Sequence, residues 1–380
     1  MPGIPRGREL KQAKIEFGKR LAKKTRPGTG LPAKKWEPNR GSHSSDRGDN
    51  HSLGKNPNAR NKLPPDTQKE ARETPQIKPL DQPGCSAHRA LSDVRAGGPS
   101  IEEHWLPLAG GRMRYLKTGK GPALILVHGL MGYSFSWRFT MPALAPHATV
   151  YAIDNLGAGL SPACLSSSAG ALDCTVRATA ERILQFADAL GLREFDLLGT
   201  SHGGAVAMMA AALSAGRVRR LILVAPVNPW SPRGRTLAPF LASPTGSWLF
   251  RCTVERWRVF DHLWLRRLFG DASKIPPDSL AGYRIPVLQN HGFRYGASIV
   301  KTWLADLADV ESVLPKIRDY PTLLVWGTKD RAVSFASAEP LRKNFTNARL
   351  VAFEGVGHLP YEECPEEFNR ALIDFLTTAD

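Results

Sequence analysis

Three residues, Ser201, Asp330 and His358, are of the types that supply a nucleophile, an orienting acid and a base. A serine hydroxyl attacks a carbonyl effectively only when a base removes its proton, and that base needs a carboxylate to hold its tautomer. Each residue stands shortly after an apolar run, where a parallel sheet would bring such groups together. Taken singly, Asp330 could pair with Lys329 or Arg331 at the surface, and His358 could be a buried core histidine. Their order and positions favour acyl-transfer chemistry in which His358 deprotonates Ser201.

Ser201 lies at the centre of a G-x-S-x-G pentapeptide, residues 199–203. An apolar run precedes it and a small-residue helix pattern follows, so we expect a sharp strand-to-helix turn with a positive φ at the serine. Side chains two residues on either side would collide with the strand and the helix, which accounts for Gly199 and Gly203. Chance is the alternative for the string alone, because a chain with 34 glycines meets this pattern easily.

A second glycine-containing stretch, His128–Gly132 (HGLMG), follows the apolar run 123–127. The oxyanion of a tetrahedral intermediate needs fixed N–H donors, and the loss of one typically costs about 2.7–4 kcal/mol. We expect the backbone amides of Leu130 and His202 to be these donors, with Gly129 allowing a close approach. His128 is expected to brace the loop rather than to take part in proton transfer.

From about residue 101, buried-strand patterns alternate with helix patterns. Continuous Val, Ile and Leu runs between helices indicate a mostly parallel sheet, and a hairpin signal at Ala109–Gly111 adds an antiparallel start. The predicted fold class is α/β, with a mixed, mostly parallel sheet of eight strands and helices on both faces. The predicted strands are His104–Leu108, Arg112–Thr118, Ala123–Val127, Thr149–Ile153, Phe195–Leu198, Leu221–Ala225, Thr322–Val325 and Leu350–Phe353. The predicted helices are Phe135–Ala145, Val176–Leu190, Ala205–Ala215, Phe335–Phe345 and Pro365–Leu376.

The alternation stops in residues 228–300, which are rich in Trp and Arg and helical in pattern. This segment holds ten Lys and Arg against four Asp and Glu, and we predict that it forms a helical cap on a core of residues 101–227 and 301–380. Two interpretations of Trp248–Phe269 are open. One is an apolar acyl pocket with a cationic mouth, suited to lipid-like or anionic esters. The favoured one is an amphipathic helix that packs its aromatic side chains on the sheet and exposes its arginines.

Residues 1–100 carry most of the positive charge, with 21 Lys and Arg against 10 Asp and Glu. They contain few apolar side chains to offset the entropy of ordering, so we predict a disordered basic tail. Arg8–Lys24 could form a basic amphipathic helix suited to an anionic surface, although a solvated tail without a partner is favoured. A start codon assigned too far upstream is a third interpretation. No specific nucleic-acid partner is expected for the rest of the chain.

The five cysteines are scattered and contain no C-x-x-C pair. They indicate neither a disulfide framework nor a zinc site, and the histidines lack H-E-x-x-H spacing, so no metal and no cofactor is expected. We see no run of about 18 apolar residues and no secretory signal, so we expect a cytoplasmic protein. Weak contact of the tail or the cap with anionic lipid is left open, as is the oligomeric state.

Five segments, in this order, resemble motifs of the α/β-hydrolase superfamily: HGLMG at 128–132, DNLGAGLS at 154–161, GTSHGG at 199–204, WGTKD at 326–330 and GVGH at 355–358. The resemblance covers Trp105–Leu376. It implies a lidded, esterase- or lipase-like branch with a serine nucleophile, and a structural role for the 154–161 loop. The dehalogenase and epoxide-hydrolase branches use an aspartate nucleophile, so Ser201 argues against both.

The expected function is a serine hydrolase that cleaves a carboxylic ester or a related small-molecule acyl substrate through an acyl-enzyme. The same scaffold also carries cofactor-free haloperoxidases and carbon–carbon bond hydrolases, which stay open as alternatives. Two other classes of protein are further alternatives. One is a ligand receptor that keeps Ser201, Asp330 and His358 but turns over slowly, and the other is a nucleic-acid or membrane adaptor that binds through the basic tail.

Overall fold

The computed structural model of the protein describes residues 99–163, 172–232, 234–235, 238–256, 258–288 and 290–378. The predicted basic tail, including Arg8–Lys24, lies outside the described residues except for its last two. The described chain is built on a sheet of eight strands. They are β1 (Glu102–Leu108), β2 (Gly111–Thr118), β3 (Ala123–Val127), β4 (Thr149–Ile153), β5 (Phe195–Thr200), β6 (Val218–Val224), β7 (Thr322–Gly327) and β8 (Ala348–Phe353).

The strands lie in the order β1-β2-β4-β3-β5-β6-β7-β8. The β1–β2 and β2–β4 pairs are antiparallel and the other pairs are parallel, which confirms the predicted mixed sheet of eight strands. Gly110 turns the first hairpin with a φ of +94°. In β3, Ile125 and Val127 join one apolar cluster while Leu124 and Leu126 join another. Both faces of the sheet are therefore buried, which explains the continuous apolar runs.

Helices cover the two faces. The predicted helices Val176–Leu190 and Pro365–Leu376 agree with the structure to within one residue at each end, whereas the predicted helix Phe335–Phe345 is a 3₁₀ turn followed by a short helix. The observed helices are α1 (Met141–Leu144), α2 (Val176–Ala189), α3 (His202–Leu213), α4 (Ala238–Ala242), α5 (Pro244–Arg256), α6 (Arg258–Leu268), α7 (Ser279–Leu288), α8 (Asn290–Val313), α9 (Ala338–Arg342), α10 (Pro360–Glu363) and α11 (Pro365–Thr377). Within the described residues no helix is long and apolar enough to cross a bilayer.

The predicted helix Phe135–Ala145 is wrong in its continuity. The chain instead forms a 3₁₀ turn at Ser134–Trp137 and the short helix α1. Pro142 has no backbone N–H and fits only the first turn of a helix, so a helix must restart just before it. The helix predicted from Ala205 starts earlier, at His202.

Between β6 and β7 the chain forms the helices α4–α8. The cap boundary predicted at residue 300 falls inside α8 (Asn290–Val313), a helix that packs on α4 and α7 and also contacts α2 and α3. One helix therefore serves both the cap and the sheet layer. The cap is defined below as residues 228–300, as in the prediction.

Candidate active site

Ser201 occupies a strained turn between β5 and α3. Its φ is 53° and its ψ is −120°, a conformation that costs a non-glycine residue about 1–3 kcal/mol. Hydrogen bonds on both sides of the residue hold it there. The Ser201 amide donates to the Val224 carbonyl at 2.9 Å, and the Ser201 carbonyl accepts from the amides of Gly204 at 3.0 Å and Val227 at 2.9 Å. The surrounding backbone therefore fixes the position of the hydroxyl.

Close backbone contacts explain the glycines around this serine. A Cβ atom on Gly199 would lie 2.2 Å from the Gly203 carbonyl oxygen, and one on Gly203 would lie 2.3 Å from the His128 carbonyl oxygen. A Cβ atom on Gly129 would lie 3.1 Å from Cβ of Ser201. The start of α3 and the 128–132 loop thus approach each other more closely than side chains would permit.

Asp330 and His358 follow β7 and β8 and meet in the interior. The distance between His358 Nδ1 and Asp330 Oδ2 is 2.7 Å, and both residues are buried. Asp330 Oδ1 accepts from the amides of Ala332 at 2.7 Å and Val333 at 2.9 Å, which fixes the carboxylate plane. Because an ionised carboxylate can only accept, Nδ1 carries the hydrogen and His358 Nε2 keeps a free lone pair.

Ser201 and His358 line the same cavity, which has a volume of about 300 Å³. Its remaining lining is apolar or neutral, and His358 is the one titratable imidazole, carboxyl or amine group among the described lining residues. The cap contributes Leu241, Trp264 and Phe293 to its walls. The cavity can therefore enclose an apolar group next to the serine hydroxyl.

The two predicted oxyanion donors flank Ser201. His202 is the first residue of α3, so its amide has no partner within the helix, and the positive end of the helix dipole points the same way. Leu130 lines the cavity beside Gly129. Across the described ranges, neither the Leu130 amide nor the His202 amide donates to a protein acceptor. Both are thus open to a ligand oxygen.

The side chain of His202 turns away from this cavity. Its ring stacks on Trp303, with a centroid distance of 6.3 Å. Burial, and secondarily the repulsion that His128 would exert if both rings were protonated, lowers the pKa of His202 to about 4. The imidazole is therefore neutral at physiological pH.

His128 braces the loop that carries Leu130. Its Nδ1 donates to the Gly129 carbonyl at 2.8 Å, and its Nε2 accepts from the Asn155 amide at 3.1 Å. Burial lowers the pKa of His128 and favours this neutral form. Since both ring nitrogens are engaged, the histidine has no nitrogen left for proton transfer.

The 154–161 loop carries a structural network below the site. Asp154 accepts from the Ser134 amide at 2.7 Å, the Leu160 amide at 3.0 Å and the Arg114 guanidinium at 3.2 Å. Ser161 Oγ donates to the Asp154 carbonyl at 2.7 Å. These contacts match the structural role that the sequence resemblance implies.

Glu363 is a buried site residue that sequence patterns did not reveal. Its Oε2 accepts from the amides of Gly357 at 2.8 Å and Gly270 at 2.9 Å, and its Oε1 accepts from the Asp271 amide at 2.8 Å. One carboxylate thus joins the histidine loop to the segment that follows α6. The sole local signal was an acidic pair, Glu362 and Glu363, directly after that loop.

The backbone of His358 contacts the same segment. Its amide donates to the Leu268 carbonyl at 2.6 Å. A Cβ atom on Gly357 would lie 2.3 Å from that carbonyl oxygen, so glycine is needed for the approach. Leu268 also lines the cavity, and the end of α6 therefore contacts both His358 and the cavity.

A second buried carboxylate, Glu362, ties α7 to the core. It accepts two hydrogen bonds from Arg138, one from Tyr283 at 2.7 Å and one from Ser279 at 2.9 Å. Arg138 also pairs with Asp278 at 3.0 Å. Burial alone would lower the pKa of Arg138, but Glu362 holds that pKa above its ordinary value. The network fixes Tyr283, whose ring lines the cavity.

Residues 124–371 match the family described as the alpha/beta hydrolase family, nearly two thirds of the chain. The chain belongs to this family. Haloalkane dehalogenase 2 of Mycobacterium tuberculosis is 30% identical over 282 residues, covering 72% of this chain and 94% of the relative. Within the described residues, no group of three His, Cys, Asp or Glu side chains could hold a metal ion.

Two solved structures are similar to the described fold. A putative lipase from Acinetobacter baumannii has a TM-score of 0.64 at 23% identity, covering 78% of this chain and 97% of its own. A membrane phospholipase A, described as a bacterial virulence factor, has a TM-score of 0.56 at 28% identity, covering 76% and 91%. The family hosts several hydrolytic chemistries, so the reaction must be argued from the site.

Proposed function

We propose that this alpha/beta hydrolase is a serine hydrolase that cleaves a carboxylic ester or a related acyl substrate. One observation carries the proposal: Ser201, on its strained turn, shares a cavity with His358, which Asp330 orients at 2.7 Å. A nucleophile, a base with a free nitrogen and an orienting carboxylate are the groups that acyl transfer requires.

In the proposed mechanism, Nε2 of His358 takes the proton of Ser201 as its Oγ attacks the acyl carbonyl. The amides of Leu130 and His202 stabilise the oxyanion, helped by the N-terminus of α3. His358 then gives the proton to the leaving alcohol, and the acyl group stays on Ser201. A water molecule, deprotonated by His358, attacks this ester, releases the acid and restores the hydroxyl.

The apolar lining of the cavity supports an apolar acyl group as the part of the substrate next to Ser201. The similarity to a putative lipase and to a membrane phospholipase A agrees with that choice. The dehalogenase relative is the alternative, but the aspartate nucleophile of that branch has no counterpart at position 201.

Ser201→Ala tests the proposal. We expect it to abolish hydrolysis of p-nitrophenyl esters and covalent labelling by a fluorophosphonate probe. Ser312→Ala, which removes an exposed serine on α8, is the matched control and should keep both activities. Labelling or turnover of the Ser201→Ala variant at the wild-type rate would contradict the assignment. An ester series of increasing acyl length would measure the preference set by the cavity.

A further inference from the structure

The outer surface of the cap exposes large apolar side chains. The described residues include eight large hydrophobic side chains that are exposed, and six of them lie between β6 and β7. These six are Trp230, Phe240, Trp248, Leu249, Leu263 and Leu304. Trp248 is 65% exposed and Leu263 61%, which is unusual for side chains that gain most from burial. Such clustering marks an interaction surface.

Three of these residues are next in the chain to residues that line the cavity. Phe240 on α4, Trp248 on α5 and Leu263 on α6 are each followed or preceded directly by a residue that lines it. Those lining neighbours are Leu241, Ser247 and Trp264. Adjacent residues on a helix point about 100° apart, so each helix turns one side chain to the cavity and the next outward. These three exposed residues therefore lie on the cap helices that also line the cavity.

Positive charge lies beside Leu263 on α6. Leu263, Arg266 and Arg267 are all exposed and are spaced three and four residues apart, so they share one side of α6. The cap as a whole holds ten Lys and Arg against four Asp and Glu. Surfaces that bind at the boundary of an anionic bilayer typically combine tryptophan and leucine with arginine. We call Phe240, Trp248, Leu263, Arg266 and Arg267 the outer cap face.

We infer that the outer cap face docks on an anionic phospholipid bilayer. The apolar side chains would enter the headgroup region while Arg266 and Arg267 contact lipid phosphates. Docking would bring the cavity next to the acyl chains of the lipid. That such a lipid is the substrate rests on the proposed function, whereas the docking does not.

Vesicle binding by the full chain carrying Ser201→Ala tests the docking without turnover. The vesicles are phosphatidylcholine with and without phosphatidylglycerol, measured by co-sedimentation at several salt concentrations. We expect binding to the anionic vesicles alone, falling as salt rises. In this background, Arg266→Gln with Arg267→Gln should weaken binding about tenfold to thirtyfold, since each arginine near an anionic surface contributes severalfold. Trp248→Ala should weaken it about tenfold.

Matched controls lie outside the cap. Trp105→Ala removes an exposed tryptophan from the edge strand β1, and Arg177→Gln with Arg349→Gln removes two exposed arginines from α2 and β8. The basic tail is present in every variant, so its contribution cancels. Equal binding by cap and control variants would overturn the inference and assign any binding to other parts of the chain. Self-association that the cap variants abolish, with vesicle binding unchanged, would overturn it too.

The outcome is separable from the proposed function. If fluorophosphonate labelling of Ser201 fails while the cap variants lose vesicle binding, the docking is supported and the proposed serine-hydrolase function is rejected. If labelling succeeds and the cap variants bind anionic vesicles as the wild type does, the serine-hydrolase function is supported and the docking is rejected.

Discussion

Replacing Asp330 by asparagine tests whether the carboxylate sets the tautomer of His358. Oδ1 of Asp330 accepts two backbone amides, from Ala332 and Val333, while Oδ2 faces His358 Nδ1 at 2.7 Å. An asparagine keeps both amide bonds only if its oxygen takes the Oδ1 position. Its NH₂ group then points at His358 Nδ1 and forces the proton onto Nε2, which blocks the base.

The hydrogen bonds set the size of the effect. To keep the productive tautomer, the asparagine must flip and leave two buried amides facing a donor. Each such amide costs about 1–3 kcal/mol, so the productive arrangement lies about 2–6 kcal/mol higher. At 1.4 kcal/mol per tenfold, kcat for ester hydrolysis should fall by about thirtyfold to about 10⁴-fold. KM should change little, because the cavity lining is untouched.

The assay is steady-state hydrolysis of a p-nitrophenyl ester together with the rate of fluorophosphonate labelling of Ser201. Circular dichroism should show an intact fold, since the amide bonds to Oδ1 remain. Asp309→Asn, an exposed substitution on α8, is the control and should leave kcat unchanged. A loss of less than tenfold in kcat for a folded Asp330→Asn protein would refute the orienting role.

Three further predictions concern Glu363, Gly203 and His202. Glu363→Gln should lower kcat severalfold and the free energy of unfolding by about 1–3 kcal/mol, because its NH₂ group must face one of the three backbone amides that now donate to the carboxylate. The exposed control Glu367→Gln should change neither quantity. Gly203→Ala should destabilise the fold by about 1–3 kcal/mol and slow the labelling of Ser201, since its Cβ would lie 2.3 Å from the His128 carbonyl oxygen. Wild-type stability and a wild-type labelling rate in this variant would contradict the packing argument. His202 has its pKa lowered to about 4, so the unfolded chain binds the proton first and stability is lost as pH falls from about 6.5 toward 4. The share of that loss due to His202 is about 3 kcal/mol, and urea unfolding of His202→Met should show a loss smaller by this amount, with the share due to buried His128 remaining.

The strands and the loops that carry Ser201, Asp330 and His358 were predictable because their signals are local. Uninterrupted apolar runs such as 123–127 mark strands buried on both faces, and polar residues just after them are brought together by any parallel sheet. The sharp turn at Ser201 was predictable for the same reason, since the glycines at positions 199 and 203 indicate a close approach of the backbone.

The contacts of Glu363 and Arg138 were not predictable. Glu363 accepts from Gly270, which lies 93 residues away, and Arg138 meets Glu362 across 224 residues. Such bonds join segments with no shared periodicity, so no pattern in either segment indicates the other. The predicted cap boundary at residue 300 falls inside α8 for a related reason. One helix packs on both the cap and the sheet layer, and no local pattern in its sequence indicates this.

The junction between α6 and the histidine loop limits how the cap can be exchanged. The Leu268 carbonyl and the Gly270 and Asp271 amides belong to the cap but hold His358 and Glu363 of the core. A chimera that keeps Leu268–Asp271 with its native core should stay active, whereas one joined after residue 271 would import a mismatched contact directly at the base.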